Sequence, residues 1–206
     1  MDESYHTSVF INCPYDEEYY RLLRPMLFVL VSAGLTPIMA ADSQDGGSDR
    51  LRRILSEIKR ARFSIHDLSR TESARYNMPF EFGLDFACKH YAETQYGDKV
   101  FLLLEKEKYL LKRIMSDTGG LDARAHNDDP RQATRIVREW VVGEVLDPDS
   151  RRAFPGADRL MQEYEFFQAE NNELLVEQGH SDEDIADRSI AMLVDDMRVY
   201  IELKQG

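Results

Sequence analysis

Two carboxylates, Asp67 and Glu81, stand where a sequence of this pattern could do chemistry. They belong to the stretch Arg62 to Tyr91, RFSIHDLSRTESARYNMPFEFGLDFACKHY. It reads as a short buried strand (Phe63 to Leu68), a polar loop (Ser69 to Met78) and a helix opening at Pro79. Proline suits a first helical position because its missing N–H has no partner there anyway. Asp67 then ends the strand, and Glu81 falls in the first turn of the helix. In an open α/β sheet both would border the crevice where ligands bind. Phe80, Phe82 and Phe86 make the surroundings of Glu81 apolar. An ionised carboxylate is costly there unless it is paired or used. Its natural use is to stabilise positive charge that develops during a reaction.

Each group also has a plainer role. A carboxylate near a helix start is favoured by the macrodipole, and a strand-end aspartate commonly closes its loop on the backbone N–H groups of Ser69 or Arg70. From spacing alone the loop-closing role is favoured for Asp67. Asn77 either shapes the turn into the helix or donates to a ligand. His66 alternates to the opposite face from Asp67 and reads as structural. His126 follows a weak fifth strand and reads as a solvated loop histidine. Cys13 has no histidine placed beside it and reads as a small packing residue. Arg50, Arg52 and Arg53 read as the solvated face of a helix.

The elements that must carry these groups alternate. Ser8 to Asn12 is an apolar strand, and Tyr19, Leu22, Leu23, Met26, Leu27 and Leu30 mark the inner face of a helix that Gly34 ends. Leu35 to Ala41 reads as a second strand, put at an edge by Pro37. Asp42 to Asp49 (DSQDGGSD) is a glycine-hinged loop with the character of a mobile lid. Ser48 is the expected cap of a helix with Leu51, Ile54, Leu55 and Ile58 inside. Lys99 to Leu104 is a fourth strand of nearly continuous apolar character, as buried parallel strands are. Lys106 to Met115 reads as a helix, Leu121 to Ala125 as a short fifth strand, and Asp129-Pro130 opens a helix lined by Ala133, Ile136, Val137, Trp140 and Val141.

Crossovers of this length require parallel strands with helices on both faces. The expected fold is therefore an α/β, flavodoxin-like doubly wound parallel sheet of four to five strands with a C-terminal helical extension. Its switch point lies between Asn12-Cys13-Pro14 and Asp67-Leu68-Ser69. The expected division is 1–145 for the α/β unit and 146–206 for a helical hairpin, with helices from Ala157 to Gln178 and from Ser181 to about Lys204. Tyr164, Phe166, Phe167, Met192, Leu193, Met197 and Tyr200 look like more apolar surface than a hairpin hides alone, which predicts a homo-oligomer.

Composition narrows the partners. The formal net charge of −12, from 38 Asp and Glu against 26 Lys and Arg, disfavours nucleic acid. The longest apolar run, Met26 to Ala33, is too short for a membrane span, and the acidic, polar start lacks a leader's pattern. Two cysteines without metal or redox spacing suit a reduced, cytoplasmic protein. No Walker loop, dinucleotide fingerprint, zinc motif or nucleophile elbow occurs. A phosphoacceptor role for Asp67 lacks the acidic pair that would hold Mg²⁺, since the first strand ends in Asn12-Cys13. No metal site is expected.

VFINCPYDE, IHDLSR and NMPFEFGLDFA, in that order and spacing, resemble two related groups. These are the nucleoside 2-deoxyribosyltransferases and the bacterial Toll/interleukin-1 receptor (TIR)-like domains. In the former a strand ending Asp-Leu precedes an Asn-x-x-x-Glu-x-Gly helix start, matched here by Asp67-Leu68 and by Asn77, Glu81 and Gly83. The residues just before the helix, Arg75 to Phe80, depart from the usual Gly-x-Asn-Pro-Asn-Val pattern. The resemblance spans roughly residues 8 to 104. It implies a flavodoxin-like sheet, a glutamate (Glu81) acting on an N-glycosidic bond, and a loop after strand two, here Asp42 to Asp49, that gates the site and mediates assembly.

The expected activity is therefore hydrolysis or transfer at the ribosyl–base bond of NAD or a related nucleotide. Glu81 would be catalytic, and Asn12, Cys13, Pro14, Asp67, Ser69, Asn77 and Met78 would contact the substrate. The nucleotide is substrate or ligand, and no separate cofactor is expected. Nicotinamide leaves NAD as a neutral molecule, so one carboxylate can suffice where ordinary glycosides need two. The alternative expectation is a non-catalytic nucleotide sensor or TIR-type assembly module on the same crevice.

Overall fold

The computed structural model describes residues 3–39, 49–70, 76–115 and 120–205. After a 3-10 turn at Glu3–His6, the chain runs β1 (Ser8–Asn12), α1 (Glu17–Ser32), β2 (Thr36–Ile38), α2 (Arg50–Arg60), β3 (Phe63–Asp67) and α3 (Asn77–Tyr91). It continues through α4 (Glu93–Tyr96), β4 (Val100–Glu105), α5 (Leu110–Ile114), β5 (Ala123–Ala125) and α6 (Pro130–Trp140), with a π-helical turn at Val141–Val145. The C-terminal part is α7 (Pro148–Ala153), α8 (Ala157–Glu177), α9 (Asp182–Ala186) and α10 (Ile190–Gln205).

All strand pairs are parallel, in the order β2-β1-β3-β4-β5. That is the flavodoxin-like order, with its switch point between β1 and β3. Alternation along the strands sorts the core. Val9, Ile11, Phe63, Ile65, Leu102 and Leu104 face a layer that includes α1 and α6. Phe10 packs with Ile54 and Ile58 of α2, and Leu103 with Met78 and Phe82 of α3. Both faces of the central strands are covered, so their polar residues, Asn12, Ser64, His66 and Asp67 among them, are buried with the apolar ones.

The termini of the elements explain their lengths. Asp16 caps α1 through the N–H of Tyr19. Gly34, at φ +74°, ends α1: its own N–H bonds the Val31 carbonyl and that of Leu35 bonds the Leu30 carbonyl. Asp49 is the cap of α2, accepting from Leu51 N–H. Ser48, and residues 42–48 of the expected lid, lie outside the described residues. Leu51 is exposed, so the inner face of α2 rests on Ile54 and Ile58.

Strands β2 and β5 are shorter than expected, and three helix boundaries differ. α3 begins at Asn77, so Pro79 is its third residue; none of the first three N–H groups has a helical acceptor, and proline fits equally there. The helix expected over Lys106 to Met115 shrinks to Leu110–Ile114, because Tyr109 is left-handed at φ 71°. Glu105 instead caps the short helix, accepting from Tyr109 and Leu111 N–H. The last helix divides into α9, started by a Ser181–Asp184 capping box, and α10.

The C-terminal helices lie on the α1–α6 layer. Tyr164, Phe167 and Met197 are buried within the same apolar cluster as Val9 and Ile11. Phe28 of α1 is at 5.8 Å from Tyr164 and 5.9 Å from Phe167, ring centre to ring centre. Of the seven residues expected to seek a second subunit, these three are covered within the chain, while Phe166 and Met192 remain exposed. Among the described residues no helix is long and apolar enough to cross a membrane.

Candidate functional site

Register places Asn12 beside His66 on neighbouring strands, both facing α3. The Asn12 amide donates to His66 Nδ1 at 3.0 Å and to the Met78 carbonyl at 2.8 Å. Because Nδ1 accepts, the His66 proton sits on Nε2, which donates to Asp85 Oδ2 at 3.1 Å. Asp85 Oδ1 lies 3.2 Å from the Lys99 ammonium, whose hydrogen bonds go to the carbonyls of Ile58 and Ala61. Asn12, His66, Asp85 and Lys99 are all essentially out of solvent. Burial pushes the Asp85 carboxyl up, and His66 and Lys99 outweigh it, so Asp85 stays below its ordinary range. This chain of contacts grips α3 at Met78 and at Asp85, three residues before Glu81 and four after it. His66 is structural, as its alternation predicts.

Asp67 faces the other way, towards α1. Its Oδ2 accepts from Tyr19 O–H at 2.5 Å and lies 3.1 Å from His126 Nε2, and its Oδ1 accepts from Ser69 N–H at 2.9 Å. Burial raises this carboxyl, and the bonds from His126, Ser69 and Tyr19 together lower it below its ordinary value. The loop-closing role through Ser69 is therefore present, and both oxygens are committed to protein donors.

His126 is not a solvated loop residue. It is 1% exposed: its backbone N–H bonds the Glu105 carbonyl at the sheet edge, and its ring is covered by Asp67 and Ser69. Its Nδ1 accepts from Asp128 N–H at 3.0 Å, which leaves the proton on Nε2, shared between Asp67 and the Ser69 hydroxyl at 2.8 Å. Serine and aspartate thus meet the same ring nitrogen. A nucleophilic triad needs them on opposite nitrogens, so Ser69 is not an activated nucleophile.

Glu81 is held differently. It is 7% exposed on α3, and burial pushes its carboxyl up, partly offset by the charge of Arg50. As the fifth residue of α3 it lies beyond the first turn, so the dipole account of its position loses its basis. The other buried acids among the described residues, Asp67, Asp85 and Glu105, each receive hydrogen bonds from protein donors. Glu81 has no hydrogen bond or ion pair among the described residues. Tyr76, Asn77 and Phe80, at the start of the same helix, are exposed around it.

The sheet separates the remaining expected residues. Asn12, Met78 and Glu81 lie with α3, Asn77 being at the exposed start of that helix. Cys13 is buried in the α1-side core, and Pro14 is buried beside it in sequence. A crevice of about 670 Å³ on the α1 side has Tyr19, Ser69, Arg70, Lys106 and Asp128 among its walls, and Glu81 is not one of them. Arg70 is tied there to Asp16 at 2.6 Å and to Glu18 at 3.1 Å.

Asp85, Lys99 and Glu105 escaped the sequence reading. Asp85 carried a signal, since it repeats Glu81 one turn later and so shares its inward face. Among the described residues no group of three or more acidic, histidine or cysteine side chains is placed to hold a metal ion. No family model, curated protein or solved structure matches the chain.

Proposed function

We propose that this chain cleaves the ribosyl–base bond of NAD or a related nucleotide, as a hydrolase or transferase, with Glu81 as the stabilising carboxylate. One observation carries the reading: among the buried acids of the described residues, Glu81 alone lacks a protein donor. Asp67, Asp85 and Glu105 show what a structural carboxylate looks like in this fold, with donors converging on it. A partly desolvated carboxylate with no protein donor attracts a cation, and the ribosyl group becomes cationic as its base departs.

The chemistry follows from charge. The C1′–N bond of a nicotinamide nucleotide breaks with its electron pair passing to the pyridinium nitrogen, so nicotinamide leaves neutral. The positive charge then resides on C1′ and the ring oxygen, where an ionised Glu81 favours it. Water or another acceptor adds to C1′, and water loses its proton on addition. Exposed Tyr76 and Phe80 offer flat apolar surface to a base, and Asn77 offers amide groups to ribose hydroxyls. The grip on Met78 and Asp85 holds the helix that carries the carboxylate.

The test is chromatographic. Purified protein incubated with NAD should release nicotinamide, and Glu81→Gln should slow release by about 10²–10³-fold while nucleotide binding persists. Equal rates in the two proteins would remove Glu81 from the chemistry. Nucleotide binding without release in the unaltered protein would favour the sensing or assembly module instead.

A further inference from the structure

We infer that the cleft between α1 and the C-terminal helices is a second ligand site, built for a small phosphate monoester with an apolar or aromatic body. The cleft encloses about 480 Å³. Glu17, Tyr20, Arg21 and Arg24 line it from α1, following one helical stripe, and Met161, Tyr164 and Gln168 line it from α8. The start of α6, at Pro130, and the end of α9, at Ala186, close its rim.

Two arginines give this cleft its charge. Several surface arginines pair with nearby acids, Arg131 with Glu165, Arg159 with Glu163 and Arg198 with Asp195. Arg21 and Arg24 have no acid partner among the described residues, in a chain of net charge −12. Glu17 stands four residues before Arg21, the favourable order for a helical ion pair, yet the pair does not form. Arg24 lies over the Tyr20 ring at 5.4 Å, and its Nε is buried without an acceptor. Arg24 is half-buried and Arg21 exposed, so their outer guanidinium nitrogens face the cleft without an acid partner, and an oxyanion there would supply the missing counter-charge.

The chemistry of the walls sets the ligand class. Two arginines one turn apart suit the several oxygens of a phosphate, which guanidinium groups grip through paired hydrogen bonds. Tyr20, Tyr164, Met161 and Pro130 provide apolar surface for a ring or short chain, and Gln168 adds an amide. Pro25 lacks the N–H that the Arg21 carbonyl would otherwise accept, so the α1 ladder is interrupted beside the cleft. The site faces away from α3 and does not depend on Glu81.

Phenyl phosphate, phenol and inorganic phosphate separate the contributions in calorimetric titrations of the full chain. Phenyl phosphate should bind saturably, inorganic phosphate more weakly, and phenol not measurably. Arg24→Gln should weaken phenyl phosphate by about tenfold or more, the scale of one charge-assisted hydrogen bond. Gln168→Glu, which leaves both guanidiniums in place and adds a negative charge to the cleft, should weaken it similarly should Arg24→Gln fail to fold. Glu81→Gln should leave this binding unchanged whatever it does to nicotinamide release. Absence of saturable binding, phenol binding as well as its phosphate, or unaltered affinity in a folded cleft variant would each overturn the proposal.

Discussion

A buried carboxylate without donors opposes folding for as long as it is ionised, and at Glu81 this has a pH signature. Its folded pKa is raised above the ordinary 4.5. The unfavourable contribution is complete above the folded pKa, shrinks as pH falls through it, and vanishes below the unfolded value. Asp85 has the opposite sign: its folded pKa is below 3.8, so its favourable contribution is complete above that value and is lost at lower pH. Urea unfolding of two variants separates these roles. Glu81→Gln should stabilise the protein at neutral pH, and the gain should fade as pH falls through the raised folded pKa and be gone below about 4.5. Asp85→Asn should cost about 3–5 kcal/mol at neutral pH, because it leaves Lys99 buried without its counter-charge. A destabilised Glu81→Gln would mean that the carboxylate serves the fold.

At the level of elements, the conformation of a single residue has a measurable cost. Gly34 ends α1 at φ +74°, and a Cβ built there meets nothing within 4 Å. Gly34→Ala should therefore cost only the left-handed backbone penalty, about 1–2 kcal/mol, read as a lower midpoint in thermal unfolding. The end of α1 was visible in the sequence because glycine is a local signal, and the central strands β1 and β4 were visible because burial leaves apolar runs, whereas the half-buried edge strand β5 (Ala-Arg-Ala) leaves only a weak one. Pro37 likewise marked β2 as an edge strand, which it is. The start of α3 was misjudged because proline is tolerated throughout a first turn. His126 was misjudged because its burial depends on Asp67 and Ser69, more than fifty residues away, and no local pattern encodes such a partner. Asp85 with Lys99 illustrates the same limit: a charged pair fully inside looks, in sequence, like two ordinary surface residues.

The molecule as a whole is tied together by α1, which has the sheet on one side and α8 and α10 on the other. Tyr164, Phe167 and Met197 join the cluster that holds the sheet's own side chains. A chain ending at residue 156 would uncover Phe28, now 1% exposed, and should lose solubility or melt at a lower temperature than the full chain. A well-folded, equally stable 1–156 fragment would show instead that the sheet and its near helices suffice. The proposal of a homo-oligomer now rests on the apolar residues that stay exposed, Phe166 and Met192 among them, a narrower basis than the sequence suggested.

Lys99 has a consequence of another kind. Its ammonium is fully enclosed, held by two backbone carbonyls and a carboxylate that are themselves inside. An amine-modifying reagent reaches it only when α2, β4 and α3 separate, an opening that approaches complete unfolding. The surface lysines, Lys106 and Lys204 among them, react in the native state. The ratio of modification at Lys99 to modification at these sites is thus a built-in clock for rare opening events, read by peptide mass spectrometry without any denaturant.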